Sequence, residues 1–154
     1  MPEVNCGFFS TPDVSGSELL TTYGPTLLVD IGFDSNWSGD IRPIVVPVAN
    51  ITQVTALVDT GASESCIDDL LAAQLNLPVI DQRPVSGVGG AQQANIYLAQ
   101  IHIPALNFTI YGAFAGVHLA AGGQPHNALI GRTFLNAFTM IYEGRTGTVI
   151  IRSE

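Results

Sequence analysis

Short apolar runs separated by glycine, proline and polar residues recur along most of the 154-residue chain. Runs of this length that are bounded by turn residues are typical of β-strands, and their regular spacing is typical of an all-β domain. The pattern predicts strands over residues 26–33, 44–48, 54–58, 85–91, 96–103 and 108–114. A last hairpin is predicted to pair residues 138–142 with residues 148–151.

Two stretches carry a helical pattern. Ser65-Cys66-Ile67-Asp68 has the S-x-x-D form of a capping box, and leucines follow it at helical spacing up to Pro78. This predicts a helix in the middle of the chain that begins at Ser65. A second short helix is predicted over residues 133–137.

Composition divides the chain once, near its start. Residues 1–24 are polar and mixed, and are predicted to form an N-terminal arm or linker. Residues 25–154 are enough for one domain with a sizeable core and too few for two ordinary domains. Only 12% of all residues are charged whereas 47% are apolar, which favours a globular domain over a disordered chain.

The charge of the chain excludes several partners. It has no lysine, and its formal net charge is -8, so the phosphate backbone of nucleic acid is repelled.

No apolar run has the length of a membrane-spanning helix, and no membrane partner is expected. The first residues lack the pattern of a signal peptide, and Cys6 and Cys66 are too few for a disulfide framework. A reduced, cytoplasmic protein is therefore expected, although a single disulfide stays open.

The segment with the clearest chemistry spans residues 56–63. An apolar strand carries Asp59 to its end, and Thr60 and Gly61 then turn the backbone away. A carboxylate that emerges from an apolar floor is a candidate for acid–base chemistry. Because an aspartate also commonly caps a simple turn, the tripeptide alone leaves both interpretations open.

Two further segments extend this pattern. Leu129-Ile130-Gly131-Arg132 is again an apolar strand that closes on a glycine before a predicted helix. Between the two lies a predicted hairpin over residues 84–91, with glycines at its tip. Glycines contribute little packing, which predicts a mobile hairpin.

Together the three segments resemble the retropepsin family, the single-domain aspartic proteases of retroviral type. The family pattern is an apolar pair with D-[TS]-G-A, a G-x-G-G hairpin tip, and an apolar pair with G-R, and all three occur here in that order. The extra length of the chain is more similar to cellular and bacterial relatives than to viral enzymes. The resemblance implies an all-β, closed acid-protease barrel with one or two short helices and a glycine-rich flap hairpin.

The resemblance also implies an aspartic endopeptidase whose active site is shared by a homodimer. Each chain contributes one Asp59, and the paired carboxylates hold one proton between them. The ionised carboxylate takes a proton from water, which attacks the peptide carbonyl of a peptide or protein substrate. Asp59, Thr60 and Gly61 form the catalytic set, in which Thr60 ties the two loops together and Gly61 lets the substrate backbone approach. No cofactor and no metal are implied.

The substrate-binding residues that the resemblance implies come from the active-site loop, the flap and the segment before Gly131. They are Leu57, Ala62, Ser63, Val85, Ser86, Gly87, Val88, Gly89, Gly90 and Leu129. Several of them are apolar, so apolar or aromatic substrate residues are expected beside the cleaved bond. The acid that usually follows D-T-G-A is Ser63 here, with Glu64 next. The family's ion pair to the arginine at Arg132 therefore either moves to Glu64 or is absent.

Two alternatives stay open at this level. Asp30 lies in a similar apolar-Asp-x-Gly context, but it precedes Asp59 by only 29 residues and has no flap segment of its own, so a strand or turn role is expected. The alternative from another class is a catalytically silent retropepsin-fold dimer that binds a peptide or protein in the same groove. The histidines, His102, His118 and His126, have no ligand-like spacing, and no metal site is predicted.

Overall fold

A computed structural model describes residues 2–38, 45–87 and 90–153, and the fold is given for these residues. The described strands are β1 (Glu3–Asn5), β2 (Thr26–Gly32), β3 (Ile51–Val58), β4 (Cys66–Asp68), β5 (Val79–Gly87), β6 (Gly90–Ile103), β7 (Phe108–Val117), β8 (Ala128–Ile130), β9 (Thr139–Glu143) and β10 (Thr148–Arg152). The described helices are α1 (Gly16–Tyr23), α2 (Asp69–Gln74) and α3 (Arg132–Leu135), with one 3-10 turn at Pro104–Leu106.

Six of the described strands close into a barrel. In the order of their hydrogen-bonded neighbours they are β2, β3, β8, β4, β7 and β6, and β6 pairs back with β2. Closure leaves none of these six strands with a fully unpaired edge that could recruit another chain. The predicted all-β, closed barrel with short helices is confirmed.

Aliphatic side chains fill the interior of this barrel. Val29 and Ile31 on β2 are buried, and so are Val58 on β3, Ile101 on β6 and Ile130 on β8. Along β2 these residues alternate with more exposed ones, because successive side chains of a strand point to opposite faces. Burial of this apolar surface is the main favourable contribution to the stability of the barrel.

A long hairpin of β5 and β6 extends from the barrel. β5 pairs with the first half of β6, from Val79 opposite Tyr97 to Gly87 opposite Gly90. The predicted strand over residues 85–91 is therefore part of a longer hairpin, whose residues 88 and 89 lie outside the described residues. The sequence pattern misses the beginning of β5, because residues 81–84 are exposed and carry no apolar alternation.

The segment predicted as an arm or linker contains two elements that pack on the barrel domain. β1 pairs with β10, with Val4 opposite Ile151, in a three-stranded sheet that β9 completes. Ser15 caps α1 by accepting a hydrogen bond from the backbone N–H of Glu18, and α1 buries Leu20 in the core. The sequence pattern did not predict these two elements, because each of them buries only a narrow face and is otherwise polar. The domain boundary near residue 24 stays a prediction.

The predicted start of the middle helix is wrong. Residues Cys66–Asp68 form β4, because Cys66 pairs with Leu129 on β8 and with Ala115 on β7. Asp68 is the actual cap of α2, and its carboxylate accepts a hydrogen bond from the backbone N–H of Leu71 at 3.2 Å. The S-x-x-D pattern is a local signal, and long-range strand pairing overrides it.

The strand predicted over residues 44–48 is also wrong for its described part. Residues 45–49 have no strand pairing, and residue 44 lies outside the described residues. Pro47 has no backbone N–H to donate, and Val48 donates its own to the side chain of Asp34 at 2.9 Å. The predicted strands over residues 26–33, 54–58, 96–103 and 108–114 are confirmed, as is the hairpin of β9 and β10. The second predicted helix is shorter than expected and begins at Arg132.

The end of β8 packs directly against the loop that follows β3. A Cβ atom at Gly131 would lie 2.5 Å from the carbonyl oxygen of Glu64 and 3.0 Å from that of Ala62. Both neighbours are backbone atoms, so neither of them yields by a side-chain rotation. Glycine at position 131 is therefore required by the close approach of two backbone segments.

We expect Gly131→Ala to lower the free energy of unfolding by about 1–3 kcal/mol, because the added methyl group separates the two segments. Chemical denaturation of the variant and the parent measures this difference. Gly144→Ala is the matched control, since a Cβ there meets Tyr142 only at an ordinary contact distance of 3.4 Å. Equal losses in the two variants would contradict the close-approach argument.

We expect His126 to make the stability of the fold sensitive to pH. The imidazole is buried, its Nε2 lies 3.2 Å from the hydroxyl of Thr26, and its Nδ1 has no hydrogen-bond partner among the described residues. Burial lowers the pKa of His126 below its ordinary value. The unfolded chain therefore binds this proton more readily than the folded chain.

We expect the stabilisation by neutral His126 to be complete above about pH 6.5, the unfolded-state value, and to be lost as the pH falls through the folded-state pKa. His126→Gln removes this titration, so its free energy of unfolding should decline less steeply between about pH 7 and pH 5. Urea denaturation at several pH values measures the slope. An identical slope in the variant and the parent would refute this role of His126.

Candidate active site

Asp59 is the first residue after β3, and it lies half-buried at the rim of the barrel. The parallel pairing of β3 with β8 sets Val58 opposite Ile130, and the backbone N–H of Asp59 donates to the carbonyl of Ile130 at 2.8 Å. The carboxylate in turn accepts a hydrogen bond from the backbone N–H of Gly61 at 2.8 Å. One hydrogen bond thus fixes the backbone of Asp59, and the other fixes its carboxylate.

Arg132 and its neighbours fasten the loop that follows Asp59. The guanidinium donates from Nη1 to the carbonyl of Thr60 at 2.7 Å. The backbone N–H groups of Arg132 and Thr133 donate to the carbonyls of Ala62 and Ser63 at 2.9 and 3.0 Å. Among the described residues, no ion pair within 4.0 Å joins Arg132 to Glu64. Of the two sequence alternatives, the structure therefore favours the absence of this ion pair.

A cavity of about 500 Å³ opens beside Asp59. Its walls come from four parts of the fold. These are the loop over residues 59–65, which we call the active-site loop, the β5–β6 hairpin, the end of β7, and β8. The structure brings together in these walls the predicted residues Asp59, Gly61, Ala62, Val85, Ser86, Gly90 and Leu129.

The remaining predicted residues lie elsewhere. Ser63 lines a neighbouring cavity of about 450 Å³, which shares five wall residues with the first. Leu57 and Thr60 are in the walls of neither cavity. Leu57 packs against Gly24, whereas Thr60 is exposed. Gly87 ends β5 opposite Gly90, and positions 88 and 89 lie outside the described residues.

Several wall residues are absent from the sequence prediction. Gln92 and Gln93 line the cavity from β6, opposite Val85 and Pro84, so the hairpin register alone could have identified them. His118 lines it from the end of β7, and its Nδ1 lies 2.8 Å from a carboxylate oxygen of Asp69. No local sequence signal indicates this pair, because the two residues are separated by almost fifty positions.

Cys66 also lines the cavity, as a neutral thiol. Burial, together with the smaller effect of the negative charges of Glu64 and Asp59, raises the pKa of Cys66 to about 11. Because the thiolate is the nucleophilic form, this cysteine is unreactive near neutral pH. Cys6 and Cys66 are both free thiols, so the disulfide that the sequence left open is not formed.

Asp30 lies away from this site. One oxygen of its carboxylate accepts a hydrogen bond from the backbone N–H of Gln53 at 2.9 Å, and the residue lines a separate cavity with Leu28 and Pro104. His102, opposite Asp30, has a pKa lowered by burial, an effect that Asp30 partly opposes. This arrangement supports the strand role that was expected for Asp30.

Neither a cluster of metal-ligating side chains nor a long apolar helix occurs among the described residues. They contain no group of three or more His, Cys, Asp and Glu side chains that is arranged to hold a metal ion. Within the same residues, no helix has the length and hydropathy needed to cross a membrane.

Comparison with known proteins identifies the family. Residues 46–137, well over half of the chain, match the family model described as "gag-polyprotein putative aspartyl protease". No sequence among the curated proteins matches the chain.

Two solved structures are similar to it. A retropepsin-like aspartic protease from Rickettsia conorii is 13% identical with a TM-score of 0.51, over 97% of this chain and 89% of that one. EIAV protease in complex with the inhibitor HBY-793 is 19% identical with a TM-score of 0.44, over 73% of this chain and 85% of that one. At this identity the Rickettsia structure is evidence of a shared fold. With the family match, it shows that this chain belongs to the retropepsin-like, gag-polyprotein aspartyl protease family.

Proposed function

We propose that the protein is an aspartic endopeptidase that cleaves peptide bonds with Asp59. The observation that carries this proposal is the placement of Asp59, which is held half-buried by the N–H of Gly61 at the edge of an open cavity. A carboxylate in such a position has access both to a substrate and to an apolar environment. Membership of the aspartyl protease family supports the same conclusion.

The proposed reaction needs two carboxylates that share one proton. The ionised Asp59 of one chain removes a proton from a bound water while the oxygen of that water attacks the peptide carbonyl. The protonated Asp59 of the other chain donates a hydrogen bond to the carbonyl oxygen and stabilises its developing negative charge. Collapse of the tetrahedral intermediate breaks the C–N bond, and the leaving amine receives a proton from the dyad.

The second carboxylate comes, in this proposal, from a second copy of the chain. The chain has one D-T-G-A segment, and Asp30 lines a different cavity. A two-fold axis between the two loops places one Asp59 on each side of it. Thr60 precedes Gly61 at the exposed tip of this loop, where its hydroxyl can bond to the partner loop.

The substrate is proposed to be an extended peptide that lies between the β5–β6 hairpin and the active-site loop. Val85 and Ser86 of the hairpin face the same cavity as Asp59, so the hairpin has the position of a flap over the substrate. An extended peptide adds main-chain hydrogen bonds to an exposed strand and places alternate side chains in pockets. Val85 and Leu129 make those pockets apolar beside the cleaved bond.

Asp59→Asn should reduce the hydrolysis of denatured casein by about 10²–10⁴-fold, because an amide cannot take the proton from water. The control is Asp30→Asn, in which the amide oxygen can still accept the hydrogen bond from Gln53. Casein cleavage is followed over a dilution series of the parent and both variants. The parent should lose specific activity on dilution as the dimer dissociates.

Two outcomes would contradict the proposal. Undiminished hydrolysis by Asp59→Asn would assign the chemistry to other residues, and activity independent of concentration in a strictly monomeric protein would exclude the shared site. A parent that binds peptides in the groove but never cleaves them would establish the catalytically silent dimer instead.

The hairpin should become better protected when a peptide binds. We expect amide hydrogen exchange to slow over residues 84–87 and 90–94 on addition of a pepstatin-type peptide inhibitor, because a closing flap exchanges solvent for main-chain hydrogen bonds. Exchange in β10, none of whose residues lines the cavity, serves as the internal reference. Equal protection of the hairpin with and without inhibitor would argue against a flap.

A further inference from the structure

A third cavity, of about 400 Å³, lies beyond the active-site loop. It adjoins the 450 Å³ cavity through Glu64, Ser65 and Ala113, and that cavity adjoins the Asp59 cavity through Gly61 and Ala62. The three cavities thus follow one another along the loop after Asp59. We call the third one the outer pocket.

The outer pocket combines aromatic residues with a single charge. Its walls include the aromatic residues Phe108, Tyr111, Phe114 and Phe134. Among the described residues that line it, Glu64 has the only charged side chain. A pocket with aromatic walls and a single carboxylate fits a side chain with an aliphatic stem and a cationic end.

The carboxylate of Glu64 is exposed and is not neutralised by a neighbouring cation. None of the described cations lies within 4.0 Å of it. Arg132 donates instead to the carbonyl of Thr60. Arg83, across the intermediate cavity, forms an ion pair with Asp81 at 3.2 Å. The negative charge of Glu64 is therefore available to a ligand.

Tyr111 adds a second source of attraction for a cation. Its ring is half-exposed and contacts the ring of Trp37 at a centroid distance of 5.8 Å, which holds its orientation. The indole N–H of Trp37 donates to the carbonyl of Val45 at 2.7 Å and so fixes the second ring. An aromatic face at the edge of a pocket attracts lysine and arginine side chains.

We propose that the outer pocket binds a lysine or arginine side chain of the peptide substrate, with Glu64 as its counter-charge. This inference rests on the proposed peptidase function, and it names a substrate feature that the active-site motifs do not indicate. Because Asp59 is not in the walls of the outer pocket, the basic residue lies some positions away from the cleaved bond. One peptide can therefore place apolar residues beside the cleaved bond and a basic residue in the outer pocket.

The first experiment measures binding without catalysis. Asp59→Asn protein is titrated with Nα-acetyl-lysine methylamide and, separately, with Nα-acetyl-norleucine methylamide, and amide chemical shifts are followed by NMR. Norleucine keeps the aliphatic stem and lacks the charge. We expect the lysine probe to bind about 3–5-fold more tightly at low salt, with shifts at Glu64, Tyr111 and Thr133, and to lose this advantage at high salt.

Glu64→Gln should abolish the preference for lysine while it leaves norleucine binding unchanged. Glu143→Gln is the matched control, because Glu143 is an exposed carboxylate on β9 that lines none of these three cavities. Equal binding of the two probes to the parent, or a preference that survives in Glu64→Gln, would overturn the proposal.

The second experiment maps cleavage sites in a digest of denatured proteins. Lysine and arginine should be enriched at one fixed distance from the cleaved bond, and Glu64→Gln should remove this enrichment while cleavage continues. Cleavage with no basic preference in the parent would overturn the outer pocket and leave the peptidase intact. Glu64-dependent lysine binding by a protein that cleaves nothing would support the pocket and reject the peptidase.

Discussion

The close contact between the end of β8 and the loop after β3 is the constraint on which the rest of the site depends. Parallel pairing of the two strands brings Ile130 beside Asp59, and Gly131 then lies against the backbone of Glu64. Only a residue without a Cβ allows this approach. Because of it, the N–H groups of Arg132 and Thr133 reach the loop carbonyls and hold the loop in one conformation.

The same contact explains why polar groups at the barrel rim remain satisfied. The hydroxyl of Ser65 accepts a hydrogen bond from the N–H of Gly131 at 3.1 Å, and Arg132 covers the carbonyl of Thr60. Buried or half-buried backbone groups without partners would be costly at this point. Backbone groups, rather than a second charged side chain of the same chain, therefore position the carboxylate of Asp59.

The distribution of charge follows from this arrangement. With Arg132 engaged by a backbone carbonyl, Glu64 keeps an uncompensated charge in a chain that already carries a net charge of -8. The charges of Glu64 and Asp59 add to burial, which is the larger cause, in raising the pKa of the nearby Cys66 thiol. The proposed preference for a basic substrate residue rests on this negative charge.

The sequence by itself determined the all-β class, five of the six barrel strands and the place of Asp59 and Gly131, because apolar periodicity and glycine positions are local signals. The tertiary structure alone decided that Cys66–Asp68 is a strand, that Arg132 binds Thr60 rather than Glu64, and that His118 and Asp69 meet. Each of these depends on contacts between segments that are distant in the chain. Such contacts depend on the packing of the whole barrel, so they cannot be predicted from a local pattern of residues.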